Sequence, residues 1–78
     1  MSIFITPQTF ADSFKSKRAE AIKNYKNGEI KLAFKKLEAL VKKGDSEAAR
    51  DMALIFLKGK LDKDKAYVWF EKAAKMCN

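Results

Sequence analysis

Seventy-eight residues, 47% apolar and 35% charged with one Pro and three Gly, suit one small packed domain better than a disordered chain. The absence of histidine and a lone cysteine remove the commonest general base, a thiolate metal site and an internal disulfide. The net charge of +7 draws anionic partners.

From the first residue, Met1-Ser2-Ile3-Phe4-Ile5-Thr6 shows no basic leader and only three consecutive apolar residues. That pattern predicts neither a signal peptide nor a membrane span, hence a cytoplasmic protein. Thr6-Pro7 is a helix start, with a capping hydroxyl followed by a proline at a position that needs no amide donor. Phe10, Phe14, Ala21, Ile22 and Tyr25 then share one side of a helical wheel, and Asn27-Gly28 ends the helix. Arg18 points into that stripe, either lying along the core with its head in water or reaching a partner.

Helix two is expected from about Glu29 to Lys43, with Ile30, Ala33, Phe34, Leu37, Leu40 and Val41 spaced by three and four. Gly44 stops it. Asp45-Ser46 supplies caps for a third helix, about Ser46 to Lys58, whose Glu47 and Asp51 suit a positive helix start. That helix is apolar around most of its circumference, so it is central, and Leu54 and Leu57 either face neighbours or form a surface for a partner. After Gly59, residues 62–64 open a fourth helix with Ala66, Phe70, Ala73, Ala74 and Cys77 on one face, widened by Trp69 and Met76 on one flank and Tyr67 on the other. Cys77 itself reads as a small apolar residue.

Aligned with itself at an offset of 33, the chain matches Ala33 with Ala66, Phe34 with Tyr67, Leu37 with Phe70, Leu40 with Ala73 and Val41 with Ala74; Ala21-Ile22 meets Leu54-Ile55. A period of that length with two helices per unit is the mark of a helical-hairpin solenoid. The second unit, through Ala48-Ala49, Met52-Ala53, Phe56, Gly59, Asp62, Lys65-Ala66, Trp69-Phe70 and Lys72-Ala73-Ala74, resembles the Sel-one-like class of tetratricopeptide-like repeats. The resemblance is close over residues 44–78 and looser over 15–43, where Tyr25, Gly28 and Ala33-Phe34 form a degenerate unit. Ala53 stands where the family has glycine, the turn after Gly59 is short, and no glycine follows Ala74. The resemblance implies an all-α fold of antiparallel helical hairpins, a short alpha-solenoid of about two repeats. Residues 1–14 have no counterpart in the family and are expected to add an N-terminal cap to the single domain. The resemblance also implies a binding role without chemistry of its own.

Residue chemistry agrees with that expectation. Asp62 and Asp64 have too few further oxygen ligands for a cation and read as helix caps; Glu47 and Asp51 read as acids at a helix start. No phosphate loop and no serine–base pair is present, so the chain is expected to be no enzyme and to need no metal or cofactor. Charge is unevenly placed: residues 14–44 carry ten Lys or Arg against three acids, residues 45–78 seven against six. The expected core is Phe14, Ile22, Phe34, Leu37, Val41, Met52, Ile55, Phe56, Trp69 and Phe70.

Two protein-binding surfaces follow: a basic one through Arg18, Lys31, Lys35 and Lys42, and an apolar one through Leu54, Leu57, Tyr67 and Val68. The expected role is a small adaptor or inhibitor on a larger protein with an acidic surface, or a homodimer, since two repeats are few for a solenoid. The alternative is a basic protein that follows a nucleic-acid backbone, or a phage or mobile-element inhibitor of a host nucleic-acid machine. With two arginines among seventeen basic residues, base-edge reading is not expected.

Overall fold

The computed structural model describes residues 10–59 and 61–76, with side chains from Ser13 onward. The expected Thr6-Pro7 helix start, most of the 1–14 cap segment and the Cys77 assignment lie outside the described residues. Four helices follow in order: α1 (Phe10–Lys26), α2 (Ile30–Lys42), α3 (Ser46–Lys58) and α4 (Lys63–Met76). Each packs on the next, α1 on α2, α2 on α3 and α3 on α4, through connections of three or four residues that fold neighbours back as antiparallel hairpins. The expected all-α fold of helical hairpins is the fold observed.

The turns are built so that the residue closing one helix opens the next. Gly28 and Gly44 adopt φ of +88° and +100°, the left-handed region that a side chain strains. At the first turn the Gly28 amide donates to the Tyr25 carbonyl (3.0 Å) and the Glu29 amide to Asn24 (2.9 Å). At the second, Gly44 donates to Val41 (2.9 Å) and Asp45 to Leu40 (3.0 Å). Both are the paired bonds of a glycine-closed helix end. Glu29 and Asp45 then stand at the N-caps of α2 and α3.

The expected core is right in outline and wrong at its centre. Leu37, Val41, Met52 and Ile55 are buried as expected, but among the described residues six of the eleven buried apolar ones are alanines: Ala21, Ala33, Ala48, Ala49, Ala53 and Ala66. Small residues let helix axes approach closely, which pushes large rings to the seams. Phe14, Ile22, Phe34, Phe56 and Trp69 are accordingly only partly buried against the central cluster. Phe34 stacks on Phe56 with centroids 4.8 Å apart, and the Lys72 ammonium lies 5.1 Å from the Trp69 ring centre. Phe70, expected inside, lines an open seam between α3 and α4.

Arg18 corrects the sequence reading most clearly. Its guanidinium neither reaches water freely nor waits for a partner: Nη1 donates to both carboxylate oxygens of Asp45 at 2.8 Å. Asp45 is 3% exposed, and its Oδ1 also accepts the Glu47 amide (3.1 Å) as the cap of α3. One carboxylate thereby ties α1 to the α2–α3 turn and to the start of α3. Asp45→Ala removes the cap and leaves Arg18 mostly buried without its counter-charge, so urea unfolding should show a loss of about 3 kcal/mol. In a double-mutant cycle with Arg18→Met the two losses should fall short of adding by more than about 1 kcal/mol.

A candidate protein-binding groove

The predicted site residues do not come together as one surface. Lys31, Lys35 and Lys42 are exposed on the outer side of α2, within about 40° of one another on the wheel. Arg18 is absent from that face, being held by Asp45. Lys36, on the same helix, is turned toward α1, where its ammonium donates to the Asn24 side chain (2.7 Å) and lies 3.6 Å from Glu20. The apolar set is divided as well. Leu57 is 43% exposed near the α3–α4 turn beside Leu61, whereas Tyr67 and Val68 are exposed on α4, about 100° apart around that helix.

Leu54 goes elsewhere, into a groove between α1 and α3. Ile22, Tyr25 and Lys26 form one wall and Asp51, Leu54, Ile55 and Lys58 the other, around an open volume of about 230 Å³. The periodicity of each helix explains the pairing: Ile22 and Tyr25 extend the α1 stripe past the edge covered by α2, and Leu54 and Ile55 extend that of α3. Close approach at the mouth is set by Gly59, where an added Cβ would stand 2.7 Å from the Ile55 carbonyl and 3.1 Å from the Tyr25 hydroxyl. Ile22, Tyr25, Asp51 and Ile55 were not foreseen as site residues. The signal that would have found them was the 33-residue offset, which equates Ala21-Ile22 with Leu54-Ile55 and so sets α1 beside α3.

The groove is hydrocarbon with charge at its rim. Lys26 and Lys58 are exposed, while the Asp51 carboxyl is half-buried. Burial raises its pKa above the ordinary 3.8; the nearby Arg18 charge pulls it down, Glu47 and Asp45 push it up, and Arg50 pulls it down less. The arrangement is an apolar concavity with charges at its rim, of a size to take an apolar side chain. Asp62, weighed as a cation ligand, accepts the Lys65 amide (3.1 Å) and so caps α4. Among the described residues no group of three acidic, cysteine or histidine side chains is placed to hold a metal ion, and no helix is long and apolar enough to cross a membrane. Comparison with protein-family models, curated proteins and solved structures gives no match.

A carboxyl whose pKa rises on folding is destabilising when ionised, and the penalty is absent below its unfolded value of 3.8, where it is protonated in both states. Asp51→Asn should therefore raise the melting temperature at pH 7, and the gain should shrink as pH falls through the folded pKa and vanish below the ordinary carboxylate range. Thermal unfolding of both proteins across that range measures it.

Proposed function

We propose that the chain is a non-catalytic protein-interaction module, a short stack of two tetratricopeptide-like hairpins that acts as an adaptor or inhibitor on a larger protein. The observation that carries this reading is the α1–α3 groove, where half-buried Ile22, Tyr25 and Leu54 line an open space between two exposed lysines, with buried Ile55 beneath them. The occupant that suits it is an acidic amphipathic segment: one apolar side chain fills the groove, and its carboxylates meet Lys26 and Lys58 in the field of a chain of charge +7. The resemblance of residues 44–78 to Sel-one-like repeats supports the same reading.

A second reading rests on Lys31, Lys35 and Lys42, exposed together on the outer face of α2. Those three ammonium groups suit a phosphate backbone, and binding there would be sequence-blind and lost with rising salt.

Affinity capture from a native lysate, with and without nuclease, separates the two. A discrete acidic protein retained after nuclease is the expected result, and recovery that disappears with nuclease would overturn the groove reading in favour of the second. Leu54→Ser should weaken the retained interaction roughly thirty-fold, from about 2 kcal/mol of lost apolar burial, with unchanged helical circular dichroism. An unfolded Leu54→Ser chain would place that residue in the core instead of the site.

A further inference from the structure

The α1–α3 groove contains one polar group that the surrounding chain leaves unmatched. Asp51 lines it beside Ile22, Leu54 and Ile55, half-buried, yet among the described residues no donor reaches its carboxyl. The Arg18 guanidinium is committed to Asp45 at 2.8 Å, so Arg18 and Arg50 act on Asp51 only as nearby charges. The Tyr25 hydroxyl stands near Gly59, at the other end of the groove, about 12 Å along α3 from Asp51. The exposed Lys58 ends the same wall about 10 Å from Asp51, with exposed Lys26 on the α1 side.

While the groove is open, water satisfies the exposed half of that carboxyl. An occupant that covers the groove strips this water away, and a carboxylate covered without a donor costs as much as burying one apolar side chain gains. The occupant must therefore bring a donor of its own. A cationic donor meets repulsion from Lys26 and Lys58 on the rim and from Arg18 near Asp51, so a neutral one fits better. Size narrows the choice further: a dry cavity of about 150 Å³ takes a benzene ring, and the groove's volume of about 230 Å³ admits two fused rings. Tryptophan combines a bicyclic apolar body with a neutral N–H that can only donate. We infer that the groove receives a tryptophan side chain of the partner segment, its rings over Ile55 between Ile22 and Leu54 and its N–H donating to the Asp51 carboxylate. Acidic residues flanking that tryptophan meet Lys26 and Lys58. The inference rests on the groove reading above and adds which side chain enters and which residue selects it.

Two probes that differ by one methyl group test it: acetyl-Glu-Glu-Trp-Glu-Glu-amide, and the same peptide with 1-methyltryptophan, which keeps the rings and loses the N–H. Each is titrated to about 5 mM into the isotope-labelled 78-residue chain and followed by the backbone amide NMR shifts. Shifts should concentrate on residues 22–26 and 51–58, and the methylated probe should bind about ten-fold or more weakly despite its larger apolar surface. On Asp51→Leu the two probes should bind alike. Equal affinity of the two probes on the unaltered chain, with shifts at the groove, overturns this inference and leaves the groove reading standing. Shifts with neither probe, or shifts confined to the outer face of α2, overturn both. Because the two probes are compared on the unaltered chain, the outcome is decided even where Asp51→Leu loses helical circular dichroism.

Discussion

The structure hangs on the contact between Arg18 and Asp45. Asp45 does four things at once: its amide closes α2 on the Leu40 carbonyl, its backbone begins α3, its Oδ1 caps the Glu47 amide, and both its oxygens accept from Arg18 of α1. Three of the four helices are placed by one residue. A buried ion pair adds little net stability compared with a well-packed apolar pair, because both charges give up water. What it adds here is register: a slip of α1 along the α2–α3 pair would strand a 3% exposed carboxylate.

The alanine-rich centre has a second consequence. Close-packed axes leave no room for rings between helices, so Tyr25, Phe34, Phe56, Trp69 and Phe70 stand along the seams, half in contact and half exposed. The molecule therefore presents apolar edges where a larger core would have hidden them. Lysines shield part of this: Lys65 lies 5.9 Å from the centre of Phe56, and Lys72 covers Trp69. One seam left open is the α1–α3 groove, where binding is proposed.

Electrostatics and apolar surface are divided between the two hairpins, and the division suits association in two stages. On the proposed reading, the lysines of α1 and α2 act at range and govern encounter with an acidic partner, more weakly as salt rises. On the same reading, contact energy then comes from desolvating the groove that Leu54 lines. Asp51 belongs to both, a carboxylate held among apolar side chains beside a guanidinium already committed to Asp45.

The kind of the described helices and the turns between them were legible in the sequence, because they depend on local matters: three- and four-residue apolar spacing, glycine at the turns and a capping acid before α3. Helix α3 begins and ends where Asp45 and Gly59 predicted, and the 33-residue match between Ala33 and Ala66 reappears as two buried residues at the same helical position, 0% and 1% exposed. Periodicity names the face a helix buries but not how near its neighbour lies. It therefore chose the large rings as the core, where the structure chose the alanines between axes. Nor could it tell an arginine bound for solvent from one bound for a carboxylate 27 positions away, since Arg18 and Asp45 meet only when α1 folds back along α2. The apolar set of Leu54, Leu57, Tyr67 and Val68 was likewise a list of residues that helical spacing left over. Only the packing of α1, α3 and α4 sent them to different surfaces, because that depends on the angles between helices, which no single helix contains.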